Sequence, residues 1–405
     1  MCFLAGLFFL RRGEEQLDKQ TTSTPIWRNK KTVPIILQAA FVIVVGFALY
    51  FMITNMLYGL EQIGLTLGLD YLQLKASFPI AESLISYSPE DPYIRALLVG
   101  LLNTFKVSFF GIIIASILGV VIGISRLSNN WLVNKLAVIY VEVFRNTPLL
   151  VQIFIWNFAV FLPMPKIQEA LRIGPFYFSN RGTAIPWIQT HSNTGIWVII
   201  IVVLAISAMV LYKLLMKKAI ETGKNSYPFA ASIASFIAGC LLLFIFTGSG
   251  PVHFTAPAVQ NGTFVGGATL SIGFLSVLIA LSIYTSTYIA EIVRGGIMGV
   301  PKGQTEAAKA LGFKSSASLR LIIFPQAVRI IIPPLTSQYL NLIKNSSLAM
   351  AVAYQDIVGV GNTVINQTGH TIETIFIMIA VYLFLSLATS LFMNLFNKKF
   401  QLVER

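Results

Sequence analysis

Long uninterrupted apolar runs decide what this chain can fold into. The stretches 33–53, 197–215 and 372–396 each match the roughly 20 residues that an α-helix needs to cross a bilayer. Of 405 residues, 56% are hydrophobic and only 11% charged, whereas a soluble domain carries roughly 25% charge. That is too little polar surface to enclose the apolar material in water. In lipid every backbone N–H and C=O must pair within its own segment, so the runs become helices. The expected fold class is all-α, a polytopic membrane helical bundle of about eight spans. The expected spans are 33–53, 94–124, 132–161, 195–215, 229–247, 270–293, 326–353 and 372–396.

A net charge of +13 raises nucleic acid as a partner, and the placement of the charges answers it. Arg11, Arg12, Lys19, Arg28, Lys30 and Lys31 precede the first span, Arg126 and Lys135 follow the second, and Lys213, Lys217, Lys218 and Lys224 follow the fourth. Arg294, Lys302, Lys309, Lys314, Arg320 and Arg329 come next, then Lys398 and Lys399. The alternate loops hold Glu61, Asp70, Glu82, Glu90 and Asp91, or only His253, or Asp356. Basic loops alternating with acidic ones follow the positive-inside rule and place both termini in the cytoplasm. No basic domain stands apart from the spans, so no nucleic-acid partner is expected.

Metal and phosphate chemistry find no support. Cys2 and Cys240 are too far apart for a ligand motif, and His191, His253 and His370 fall in expected outer loops without ligand-like neighbours. No Gly-x-x-x-x-Gly-Lys-[Ser/Thr] loop occurs, so ATP is not expected on this chain. Residues 1–10, ahead of Arg11-Arg12, are too few to span and read as an interfacial stub or a misplaced start. Asn261-Gly262-Thr263 and Asn366-Gln367-Thr368 match glycosylation sequons. Of the long connections, 55–93 and 163–194 are expected outside, the second as irregular structure over the bundle. Residues 294–325 are expected inside.

That inner connection reads Val300-Pro301-Lys302-Gly303-Gln304-Thr305-Glu306-Ala307-Ala308-Lys309-Ala310-Leu311-Gly312-Phe313. Pro301 suits the first turn of a short helix and Gly312 its C-terminal end. The face of Ala307, Ala308 and Leu311 is small enough for another protein to approach closely. Ser315 or Ser316 suits the cap of a second short helix ending at Pro325. Glu306-Ala307-Ala308, Gly312, Ile322 and Pro325 stand at the spacing of the EAA loop, and on them the chain resembles the permeases of bacterial ABC importers. Only the usual Leu before the Pro is changed, to Phe324. The resemblance implies that the loop docks into a groove of a separate ATPase, with Glu306 as contact and Gly312 as turn.

Other segments resemble the polar-amino-acid branch of that family: Asn103-Thr104, the run from Tyr140 to Gln152, the run from Tyr288 to Ile297, and Lys344-Asn345-Ser346-Ser347-Leu348-Ala349. The resemblance covers 94–155 and 270–398 as two parts of a permease core. It leaves 1–32 as a cytoplasmic tail, 33–93 as an extra span with a periplasmic loop, 156–269 as an inserted loop and helical hairpin, and 399–405 as a second tail. The enlargement is similar to that of Q-type permeases of general L-amino-acid importers. It implies a bacterial inner-membrane location, an ATPase dimer that holds the ATP, a second permease subunit making a heteromer, and a periplasmic amino-acid-binding protein.

A cation inside a span costs about 2.5 to 3.5 kcal/mol on insertion scales, so Lys344 and Arg145 should face a polar path. Pro148 after Thr147 frees a backbone carbonyl for a polar ligand or partner. A substrate carboxylate would meet Lys344 or Arg145, with Asn103, Thr104, Asn345 and Ser346 beside it and Glu142 for the ammonium. Glu142 and Arg145 equally suit pairing with each other across three residues, and Glu291 with Arg294 suits a structural pair. A secondary transporter would instead need paired broken helices in two halves. A mere scaffold would not need buried cations.

Overall fold

The computed structural model describes residues 32–400 apart from 63, 65–66, 191–192 and 224–226. The stub at 1–10, most of the first tail, Cys2, His191, Lys224 and the last five residues lie outside the described residues. The chain divides after Gly68 into two units. The first contains α1 (Thr32–Gln62), longer than the expected span and running into the stretch read as loop. It is apolar around its whole circumference, as a helix bathed in lipid should be.

The second unit is built on α2 (Tyr93–Ser125) and α7 (Ile272–Met298). They run parallel and touch through glycines. A Cβ on Gly119 would lie 2.5 Å from Cβ of Ile289, and one on Gly123 would lie 2.8 Å from the Ala290 carbonyl oxygen. Such close approach lets dispersion and small polar side chains hold helices together where lipid offers no hydrophobic drive. Ser276, Ser282, Thr285, Ser286 and Thr287 of α7 are all buried.

The remaining core helices follow from these two. The helix α3 (Trp131–Asn146) turns through 102° into α4 (Leu149–Phe154), which continues as a π-helical segment to Phe161. The expected single span 132–161 is therefore broken. Helix α8 (Lys302–Ala310) follows α7, and α9 (Ser315–Ser318) runs through a π-helical turn into α10 (Phe324–Asn345). Pro325 does not end a short helix as expected. It sits in the first turn of α10, where its missing N–H costs nothing, and the wider turn at Leu319–Ile323 absorbs the irregularity. α10 lies against α7 and α2, Ile331 on Gly296 and Leu342 on Gly111, and gives way to a 3₁₀ turn at Ser346–Val352. Helices α11 (Ile357–Thr368) and α12 (Thr371–Phe400) complete the bundle.

The inserted block is not irregular. Strands β1 (Leu171–Ile173), β2 (Phe176–Ser179), β3 (Gly182–Ile185) and β4 (Trp187–Thr190) precede the hairpin α5 (Thr194–Thr222) and α6 (Pro228–Thr247). Strands β5 (Val252–Thr255), β6 (Ala258–Gln260), β7 (Thr263–Val265) and β8 (Ala268–Leu270) follow it. They pair antiparallel as β1-β2-β3-β8, β4-β5 and β6-β7, a small β-cap. Asn261 and Gly262, at φ 49° and 72°, form the two-residue turn between β6 and β7, which explains that dipeptide better than a sequon does.

Candidate functional site

Two helices stop inside the bundle. Leu342 meets Gly111, near the middle of α2, so α10 ends about halfway along the core two residues after Lys344's neighbour Ile343. The guanidinium of Arg145 lies 5.2 Å from the ring centre of Tyr288, near the middle of α7, so α3 ends at a similar height. Each stop carries the same chemistry: Arg145-Asn146-Thr147 on α3 and Lys344-Asn345-Ser346 on α10. A cation at the C-terminal end of a helix also answers the partial negative charge there.

Lys344, Arg145 and Glu142 are exposed, and none forms an ion pair among the described residues. Glu142 instead accepts a hydrogen bond from Nδ2 of Asn146 at 3.2 Å, so the alternative pairing with Arg145 is not formed. Asn345 is half-buried. The other expected residues are engaged. The Thr104 hydroxyl donates to the Gly100 carbonyl at 2.9 Å and accepts from the Ile357 N–H at 3.0 Å. Nδ2 of Asn103 donates to the carbonyls of Glu82 and Gln355. Ser346 donates to the Ile343 carbonyl at 2.7 Å.

The carbonyl freed by Pro148 is not open to a ligand either. It is that of Phe144, four residues earlier, and it accepts from Nε2 of Gln152 at 2.7 Å, which also donates to the Thr147 carbonyl at 3.0 Å. Gln152 is 3% exposed and holds the break in place. Sequence reasoning quoted it without giving it a role, although a Gln four residues after a Pro inside a span was the available signal.

Sequence reasoning also missed Lys106, a cation in the middle of α2. Its Nζ pairs with Oε1 of Glu82, while Oε2 of Glu82 accepts from the N–H and hydroxyl of Ser271, the cap of α7. An expected loop carboxylate is thus drawn into the core. At the other end of α2 and α7, Glu291 pairs with Arg294 at 3.0 Å, as expected, and with Arg126 as well.

Beyond that end lies α8. Pro301 stands just before its first residue, and Gly312, at φ 76°, terminates it with the Phe313 N–H donating to the Ala308 carbonyl at 3.0 Å. The expected small face is divided: Ala308 is buried against the bundle, while Glu306, Ala307 and Leu311 face outward, Leu311 at 76% exposure. Nε2 of Gln326 donates to Gln304 at 3.2 Å, tying α8 to the start of α10.

The family described as binding-protein-dependent transport system inner membrane component matches residues 226–402. The chain is 46% identical over 368 residues to the general L-amino acid transport system permease protein AapQ of Rhizobium johnstonii, covering 90% of this chain and 91% of that one. It is 43% identical to the putative amino-acid ABC transporter permease protein YhdX of Escherichia coli, over 92% and 94% of the two chains. To the glutamate/glutamine/aspartate/asparagine transport system permease protein BztB of Rhodobacter capsulatus it is 36% identical, over 88% and 91%. With relatives at that identity along almost its whole length, the chain belongs to the family of binding-protein-dependent transport system inner membrane components, the permeases of ABC transporters.

Proposed function

We propose that this chain imports L-amino acids as one membrane subunit of an ATP-driven transporter, with α8 as its coupling lever and the two mid-height helix ends as its substrate path. The carrying observation is the pair of exposed cations at those ends. A lipid-facing cation costs about 2.5 to 3.5 kcal/mol, so Lys344 and Arg145 call for a polar lumen, completed by a second permease subunit of different sequence. Broken helices near the midplane are where transporters hold polar solutes. The substrate carboxylate meets Lys344 or Arg145, the ammonium meets Glu142, and Asn345 contributes its amide. Asn103, Thr104 and Ser346, bonded to backbone, fix the walls. The names of the relatives support amino acids as cargo.

The basic loops support a cytoplasmic side for both termini and for α8. There Glu306, Ala307 and Leu311 meet the ATPase dimer, Gly312 sets the turn, Ala308 seats the lever and Pro325 begins the helix that transmits the stroke. A periplasmic binding protein delivers the solute at the opposite end.

Lys344→Ala tests the path and Glu306→Lys the lever. Loss of one member of a desolvated charge pair costs about 2 to 5 kcal/mol, so Lys344→Ala should cut uptake tens-fold while the ATPase still co-purifies. Glu306→Lys should insert normally yet lose the ATPase. Wild-type uptake by Lys344→Ala at normal abundance would sink the path, and normal ATPase binding with normal uptake by Glu306→Lys would remove the lever.

A further inference from the structure

The two helix ends that carry Arg145 and Lys344 share more than their last three residues. Five residues ahead of each cation stands a tyrosine, Tyr140 on α3 and Tyr339 on α10. One pattern, a tyrosine, four residues, a cation, an asparagine and a hydroxyl, therefore occurs at 140–147 and again at 339–346. Each tyrosine reaches a serine on one of the two central helices. The Tyr140 hydroxyl lies 2.8 Å from Oγ of Ser286 on α7, and the Tyr339 hydroxyl lies 2.7 Å from Oγ of Ser116 on α2.

The direction of both bonds follows from the serines. Ser286 donates its O–H to the Ile283 carbonyl at 2.7 Å, and Ser116 donates its own to the Ile112 carbonyl at 2.6 Å. A hydroxyl has a single hydrogen, so in each contact the tyrosine donates and the serine oxygen accepts. Both tyrosines are half-buried. Two contacts on different helices thus have the same partners, the same polarity and the same separation along the chain from a cation.

Five residues of helix are about 7.5 Å of rise and about 140° beyond one full turn. A bond that pins the tyrosine to a central helix therefore fixes the height of the cation and the side from which it leaves its own helix. No ion pair among the described residues does this for either cation. Arg145 also has the ring of Tyr288, 5.2 Å away, and Lys344 has no such ring among the described residues.

We infer that Tyr140 and Tyr339 are positioning residues of the substrate path, each setting the place of its own cation, Arg145 or Lys344, and acting on transport through that cation. This role rests on the proposed transport of L-amino acids along that path. Because the Tyr288 ring also steadies Arg145, the contribution of Tyr339 is the larger.

Uptake of tritiated L-glutamine is measured in proteoliposomes that hold the complete importer with its binding protein, and each rate is divided by the amount of importer assembled. A net hydrogen bond is worth a factor of about 2 to 10 in an equilibrium. Tyr339→Phe should lower uptake by about that factor and Tyr140→Phe by less. Phe keeps the ring and each serine keeps the bond to its own helix, so both variants should unfold within about two degrees of the wild type. Ser116→Ala breaks the same bond from the other side and should match Tyr339→Phe. Double variants decide whether the tyrosine acts through its cation. On Lys344→Ala, Tyr339→Phe should cost nothing further, because the group it places is gone; on Arg145→Ala it should keep its full effect. Tyr140→Phe should behave the other way round. Wild-type uptake by both single variants, a loss that only follows falling abundance or midpoint, or an equal effect of Tyr339→Phe on the two cation backgrounds would overturn the positioning role. Those results would leave the transport reading intact, which instead falls if the complete wild-type importer takes up no amino acid.

Discussion

Helices α7 and α5 are nearly equal in length and both qualify as spans, yet their fates are opposite. Of its most apolar stretch, α7 buries 67% inside the protein and α5 only 6%, although α5 is the more hydrophobic. In water the more apolar helix would be the more buried. In a membrane, hydropathy measures preference for lipid, and packing is written in small residues: α7 carries Gly273, Gly296 and the buried Ser and Thr series, against which α2 brings Gly119 and Gly123. The helix α5 packs chiefly on its hairpin partner α6, so the hairpin is a lipid-facing attachment and α7 the axis of the core.

The sharpest way to break that comparison is to enlarge one glycine in each region. On Gly119, new atoms meet the β-branched Ile289, whose χ1 is nearly fixed in a helix, and the Ser286 carbonyl 3.1 Å away. Gly119→Leu should therefore cost more than about 4 kcal/mol and yield no monodisperse protein on size exclusion. On Gly239 of α6 the nearest atom is the Cδ2 end of Leu204, which can swing aside. Gly239→Ala should shift the thermal midpoint by no more than a degree or two, corresponding to about 0.5 kcal/mol. Similar losses at the two sites would mean that the hairpin packs as tightly as the core.

The Glu82–Lys106 pair comes next. Both side chains are nearly buried, at 11% and 12% exposure, so removing one partner strands the other and should cost about 3 to 5 kcal/mol. Lys106→Met alone should lower the unfolding midpoint sharply, and Glu82→Gln combined with Lys106→Met should recover most of the loss. A double variant no better than the single would mean that the pair contributes packing alone.

Sequence made the spans legible because lipid enforces long apolar helices: the eight expected stretches fall on α1 to α7, α10 and α12, although 132–161 is broken and 326–353 runs past the end of α10 at Asn345 into the 3₁₀ turn. It also announced the turn at Gly312 and the Glu291–Arg294 pair through local chemistry. What it left hidden was decided by distant partners. Lys106 became a pair only when a residue 24 positions earlier folded back on it, and Ala308 turned inward because α8 lies on the bundle. The β-cap was missed because its strands are three or four residues long and β3 pairs with β8 across the whole hairpin. Thr104 looked like a ligand group because sequence does not reveal that the Ile357 N–H would claim its hydroxyl.

A smaller effect separates core from attachment by pH. Asp356, at the N-cap of α11, is fully buried, with Oδ1 accepting from the Gly359 N–H at 2.9 Å and Oδ2 from the Tyr382 hydroxyl at 3.2 Å. Burial outweighs these bonds and pushes its carboxyl up to about 6 from 3.8. The folded state therefore favours the neutral acid. Its contribution is fully present below about pH 4 and is lost as pH rises through about 6, a swing of at most ~3 kcal/mol. Asp356→Asn keeps the cap and should flatten that decline, so that the variant gains on the wild type between pH 5 and 7 in a thermal-unfolding series. A decline unchanged in the variant would assign it to another group.

The smallest effect should come from removing the attachment itself. Thr190 of β4 and Val252 of β5 are paired in register, so the chain leaves and re-enters the ribbon at one point. Replacing 191–251 by Asn-Gly closes that ribbon with the turn a two-residue hairpin prefers. What disappears is largely self-contained: Trp197 donates to the Ser249 carbonyl at 3.1 Å, and Thr194 to that of Pro251 at 2.5 Å. The pairing of β3 with β8, and the contacts of Gly119, Gly123 and Leu342, lie outside the deleted stretch. The shortened chain should insert, stay monodisperse and unfold within about 1 kcal/mol of the parent. Collapse of its solubility or midpoint would show that α5 and α6 brace the core through the cap, and the low burial of α5 would then no longer mark it as an attachment.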